Sequence, residues 1–325
     1  MRCKYIFSIM ISCAIFLEAI EVETEELPAS EPYIPWFTGP LLAPSGTVVP
    51  LGDINIEPYV YVVAFKGSYA PDWKSHSAPI FWSYVFDTYI QVGIAPRVDL
   101  TLSVLGKYNK THGKHSWGIG DSFAALGIQI LDETTYIPNI KLTFQELFPT
   151  GTYNYLNPEN LLTDAMGGGS YVSTFGVIVA KLIPLQPKKY LNFRLATAVS
   201  FSSAVRLKGM NFYGGVPSTR GTYYPCKQLE IDLSLEYNLS RNWAWALDVF
   251  YIYGTKSSFH GKNGENIFSS LGGQLSSPAS QFSLAPAIEY NWTKSFGLIA
   301  GCWFSIAGSN SFIFRNGVIA VNYYK

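Results

Sequence analysis

Gln228-Leu229-Glu230-Ile231-Asp232-Leu233-Ser234-Leu235-Glu236-Tyr237-Asn238-Leu239 is the stretch on which the fold turns. A β-strand sends successive side chains to opposite faces. Leu229, Ile231, Leu233, Leu235, Tyr237 and Leu239 therefore form a wholly apolar face, and Gln228, Glu230, Asp232, Ser234, Glu236 and Asn238 a polar one. A soluble sheet can produce that once. Here related patterns recur from about residue 54 to the last residues, behind an apolar N-terminus. Repeated strands that are apolar outside and wet inside, in an exported chain, predict an all-β fold: a transmembrane antiparallel up-and-down barrel of the bacterial outer membrane.

The composition agrees. Charged residues make up 14% of the 325, against roughly 25% in ordinary soluble domains. Aromatics reach 16%, and formal net charge is zero, which argues against a nucleic-acid partner. After the N-terminus no run approaches the roughly 18 to 20 apolar residues of a membrane helix. Strands that are only half apolar satisfy all of this.

Residues 1–20 have the layout of a signal peptide, with Arg2 and Lys4 before an apolar run and a cleavage site near Ala19. Residues 21–53 differ from everything after them: an acidic start, then Pro28, Pro32, Pro35, Pro40, Pro44 and Pro50. So many prolines exclude helix and central strand, leaving an extended segment. It reads either as a periplasmic leader or as a partial plug, with Trp36, Phe37, Leu41 and Leu42 tucked into the barrel mouth. The barrel proper is then 54–325.

Strands are expected over 54–65, 84–94, 98–104, 122–130, 140–148, 171–182, 190–201, 228–239, 243–253, 282–292, 296–306 and 312–324. That is about twelve, and an even number puts both barrel ends on one side. Links at 95–97, 240–242 and 293–295 are short, with 132–138 and 183–189 of medium length. Those at 66–83, 149–170, 202–227 and 254–281 are long, matching short periplasmic turns and long external loops. Link 308–311 is the exception, short where a long one is expected. Trp82 with Tyr84, Trp243 with Trp245, and Tyr290 with Trp292 read as parts of the two interfacial girdles. Cys226 and Cys302 are the cysteines outside the signal region, and nothing in their spacing supports a disulfide.

Several stretches resemble a known family. Trp117-Gly118-Ile119-Gly120-Asp121, Phe148-Pro149-Thr150-Gly151-Thr152-Tyr153 and the turn over Gly93–Leu100 are similar to bacterial outer-membrane proteins grouped as transporters of the phenol-degradation meta-pathway. The resemblance spans roughly residues 50–325 and implies a barrel with an uptake role. It does not imply that this chain handles phenols. Such barrels commonly end in an aromatic residue, whereas this chain has Tyr323-Tyr324 before Lys325.

Catalysis is not expected. The histidines, His76, His112, His115 and His260, all fall in predicted external loops and in no nucleophile motif. No metal and no cofactor is expected either. The chemistry on offer is electrostatic, along a path lined by Asp87, Gln91, Asp99, Asp121, Lys141, Arg194, Glu230, Asp232, Glu236, Asp248, Glu289 and Arg315. Acids in a pore attract cations. Glu230, Asp232, Glu236 and Asp248 would form an acidic wall of a narrow, cation-preferring channel, or else pair with lumen bases and brace the barrel. The expected partners are outer-membrane lipid, small solutes and the barrel-assembly machinery, with the chain a monomer. The competing reading is a non-transporting surface protein whose long loops bind a partner.

Overall fold

The computed structural model describes residues 33–325. The signal-peptide reading and the acidic start at 21–26 fall outside the described residues.

Twelve lines of strand form the wall. They are β1 (Ile54–Tyr69), β2 (Ser75–Ala95), β3 (Val98–Thr111), β4 (Lys114–Ile119) continued by β5 (Ser122–Leu131), β6 (Asn139–Phe148), β7 (Val172–Gln186), β8 (Lys189–Ser202), β11 (Gln228–Asn238), β12 (Trp243–Gly254), β14 (Ala279–Thr293), β15 (Phe296–Ser309) and β16 (Ser311–Tyr324). Their order in the sheet is β2-β1-β16-β15-β14-β12-β11-β8-β7-β6-β5-β3-β4, and β2 also pairs with β3. The sheet thus closes on itself, with every neighbouring pair antiparallel. Closure removes the free edges that a membrane would leave unsatisfied.

The alternation that predicts the strands also orients them. On β11, Asp232, Ser234, Glu236 and Asn238 are buried inward. Phe86, Leu102, Val104, Leu142, Phe144 and Phe175 stand exposed on the outer face. A closed wall with an apolar outside and a polar inside is that of a bacterial outer-membrane barrel.

Several boundaries differ from expectation. The link at 66–83 is not a loop, because β1 and β2 continue as a hairpin to a turn at 70–74. Pairing resumes past a bulge between Phe65 and Gly67, where Gly67 meets Ser77, Ser68 meets His76 and Tyr69 meets Ser75. Gly67 makes that bulge possible: its φ is 149°, and an added Cβ would sit 1.9 Å from the His76 carbonyl oxygen. The link at 183–189 shrinks to a turn at 187–188, and Asn310, at φ 54°, alone joins β15 to β16. The two long links at 202–227 and 254–281 contain structure of their own. There β9 (Val205–Lys208), β10 (Arg220–Tyr224) and β13 (Ser258–Lys262) form a second sheet.

Arg315 is a correction. It was expected in the lumen, but on β16 Phe314, Asn316, Val318 and Ala320 are buried inward and Arg315 is exposed on the outside. Asn316 and Asn322 share the inward parity, but apolar residues dominate both faces, and the lone cation, taken as a lumen charge, gives the wrong phase.

Candidate functional site

The extended segment 33–53 runs inside the wall, and the lumen's charged side chains hold it. Proline-rich backbone has few partners of its own, and a buried N–H must find an acceptor. Here the acceptors are carboxylates. Thr38 N–H donates to Glu289 Oε2 (2.7 Å) and Thr38 Oγ1 to Asn291 Oδ1 (2.9 Å). Leu41 and Ala43 N–H groups donate to the two oxygens of Asp248 (3.1 and 3.4 Å). Val48 N–H meets Gln129 Oε1 (3.1 Å), and Val49 N–H meets Asp99 Oδ2 (3.0 Å). Segment carbonyls are taken by bases: Lys141 Nζ donates to Thr47 O (3.2 Å) and Arg194 Nη1 to Ala43 O (3.5 Å). A typical intramolecular hydrogen bond contributes about 0.5–1.5 kcal/mol net, so these contacts together are a substantial clamp.

Apolar packing completes it. Leu41 is buried among Tyr59, Ala246, Ala285, Ala287, Ile299 and Val318, with Leu42 packed against the same cluster. Trp36 lies under the Arg241 guanidinium, 4.5 Å from ring centroid to cation, and its N–H donates to Arg241 O (3.0 Å). Gly93 admits the segment's close approach to β2, since a Cβ there would lie 1.8 Å from the Pro50 carbonyl oxygen.

Beside the segment is a cavity of about 1160 Å³. Asp87, Gln91, Asp99, Lys141, Arg194, Glu230 and Asp232 line it, together with Phe37, Leu41 and Leu42 of the segment. Two of the cavity's three bases are engaged, and Lys294 has no acid at ion-pair distance among the described residues. Lys141 pairs with Asp99 at 2.8 Å, the side chains 4% and 1% exposed, and Arg194 pairs with Glu236 at 3.1 Å. Glu230 and Asp232 have no such partner among the described residues. The expected acidic wall therefore divides. Glu236 faces a base and Asp248 holds the segment, while Glu230 and Asp232 face the cavity.

Of the aromatic rings in this chamber, the sequence alternation assigns Tyr89 alone to the lumen, beside Asp87 and Gln91. Tyr59, Tyr61 and Tyr89 cluster there with ring centroids 5.2–5.5 Å apart, Tyr89 meets Phe123 at 5.8 Å, and Trp303 meets Phe250 at 6.0 Å. Tyr89 shares a face with Asp87 and Gln91, so its parity was legible; Phe250 and Trp303 lie on strands where aromatics occupy both faces.

Asp121 has another task. It sits in the break between β4 and β5, where Oδ1 accepts Gly151 N–H (2.9 Å) and Oδ2 accepts Gly168 N–H (2.7 Å). Thr150 Oγ1 donates to Gly120 O at 2.6 Å. These are the residues of the two short family-like stretches, and they interlock. Asn109 and Lys107, on the inner face of β3, donate to the Thr163 and Met166 carbonyls at 3.0 and 2.9 Å, tying link 149–171 inside the mouth. Above it the second sheet packs Val205, Leu207, Tyr213, Tyr223 and Ile267 into a small core. Burial pushes the Tyr213 hydroxyl well above its usual range, so it stays protonated and donates to Gly168 O at 2.8 Å. Cys226 lies beside Ser270 and is not disulfide-bonded to Cys302.

No protein-family profile matches this sequence, and no curated protein does. Solved structures do. The COG4313 outer membrane channel from Pseudomonas putida F1 superposes with a TM-score of 0.65 at 14% identity, covering 87% of this chain and 100% of that one. The translocator domain of the autotransporter NalP from Neisseria meningitidis follows with a TM-score of 0.47, 10% identity and coverage of 83% and 88%. At such identities the likeness is one of fold. Taken with the closed, lipid-facing wall, it is the fold of bacterial outer-membrane barrels.

Proposed function

We propose that the protein is a channel admitting small solutes across the outer membrane through a narrow lumen, with residues 33–53 as a plug. The observation that carries this reading is the cavity beside the segment, lined by charged groups and aromatic rings together. A twelve-strand wall is too narrow for a wide aqueous pore. The fold it shares with a solved outer membrane channel supports the same reading.

The passage prefers cations, weakly. Lys141 and Arg194 pair with Asp99 and Glu236, which among the described residues leaves the carboxyls of Glu57, Asp87, Glu230 and Asp232 on the path against one unpaired base, Lys294. One wall encloses one lumen, so the chain works as a monomer. Tyr323 and Tyr324, on β16, serve as a signal to the assembly machinery.

Liposome swelling with graded solutes, using refolded protein, tests the channel; a barrel that admits none of them leaves only an anchor. Reversal potentials under a salt gradient test the charge. Glu230→Gln with Asp232→Asn is expected to bring the potential towards zero, and anion preference in the unaltered protein ends the cation reading.

A further inference from the structure

On the outer wall, at the long-loop end, strand register lines up Arg315 of β16, Ala64 of β1, Trp82 of β2 and Lys110 of β3 in one cross-strand row. Arg315 and Lys110 are both exposed. Phe86, four residues further along the same face of β2, is 54% exposed, which marks this face as the lipid side. The next row towards the short-turn end is Gly317, Val62, Tyr84 and Tyr108. The row after that is Ile319, Val60, Phe86 and Gly106.

Two apolar and aromatic rows followed by cations trace the change from hydrocarbon to headgroups. An outward Arg costs about 2–4 kcal/mol at the bilayer midplane and about 0–1 at the interface, which puts this row at the outer boundary. At the opposite end two cations on the outer wall have acids of their own: Arg97 binds Asp132 at 2.7 Å and Lys181 binds Glu133 at 3.2 Å. Arg315 and Lys110 have no carboxylate at ion-pair distance among the described residues. Charge that the protein leaves uncompensated on a membrane face calls for anionic lipid.

The shape of the wall fits as well. Ala64 provides a low floor between Arg315 and Trp82, whose ring stacks on Tyr84 with centroids 6.4 Å apart. Below the two cations, Gly317 and Gly106 each leave open space where a Cβ would stand. Arg315 and Lys110 are three strand spacings apart, roughly 14 Å at about 4.8 Å each.

We propose that this row is a binding site for a phosphorylated glycolipid of the outer leaflet. Arg315 takes one phosphate with its planar fork and Lys110 a second, the sugar headgroup lies over Ala64 against Trp82, and acyl chains settle in the recesses at Gly317 and Gly106. The site goes beyond solute passage and stands or falls apart from it.

Native mass spectrometry of the full chain, offered bisphosphorylated lipid A or the same lipid stripped of both phosphates, tests the assignment. The unaltered protein is expected to retain one bisphosphorylated molecule and little of the stripped lipid. Arg315→Gln with Lys110→Gln is expected to lower retention about tenfold or more, with conductance unchanged because neither side chain faces the lumen. Equal retention of the two lipids by the unaltered protein overturns the proposal without recourse to any variant. Undiminished retention by the folded double variant overturns it too.

Discussion

Two stretches of non-strand chain lie inside this barrel, and they are held by the same chemistry to different ends. Residues 33–53 and link 149–171 both present backbone N–H groups to carboxylates, at Glu289, Asp248 and Asp99 for the first and at Asp121 for the second. The link is fixed to the wall at both ends, between β6 and β7, and is braced from above by Tyr213. The segment joins the wall at β1 alone, and its internal order comes from what it touches rather than from its own hydrogen bonds. A tether fixed by a strand at one end, held by individually modest bonds, is suited to shifting. The doubly fixed link is suited to staying.

That contrast can be broken by experiment. Deleting residues 33–47 is expected to raise single-channel conductance several-fold; unchanged conductance in a planar bilayer would place the limiting constriction at the external mouth instead. Lys141→Ala leaves Asp99 buried and unpaired, at an expected cost of about 3–5 kcal/mol, read as a lower unfolding midpoint in detergent. Asp248→Ala with Glu289→Ala removes three of the segment's acceptors. It is expected to increase open probability and to expose the segment to added protease, while heat-modifiable migration on gels stays intact. Leu41→Ala loosens the same docking through packing, by about 2–5 kcal/mol if the cavity it leaves stays empty, and should show as more frequent brief openings. Asp121→Ala has the smallest expected effect on conductance, because Asn109, Lys107 and Thr150 still tie the link. Faster proteolysis within 149–171 is its sharper readout.

The wall was legible because lipid and lumen impose a period of two on every strand. On β11, β8 and β6 the alternation settles both faces, and Lys141, Arg194 and Asp232 lie where it puts them. It failed where the lumen is filled with apolar matter. On β16, Val318 and Ala320 face Leu41 rather than water, so the inward parity of Asn316 and Asn322 is a weak cue, and Arg315, which points outward, misleads. Partners of the lumen acids were illegible for a different reason. Thr38 and Glu289 are 251 residues apart, and an aperiodic segment carries no mark of which carboxylate will meet which N–H. The second sheet was hidden because β9, β10 and β13 are only four or five residues long and scattered over two links.

The seam between β1 and β16 has a consequence for biogenesis. Ile54 and Lys325 exchange backbone hydrogen bonds of 2.8 and 2.9 Å, and the Tyr324 hydroxyl donates to Asp53 across 271 residues of sequence. Contacts so remote in sequence form late. Closure of the cylinder is therefore expected to end at this seam, which pins Asp53, the root of the 33–53 segment, against the last strand.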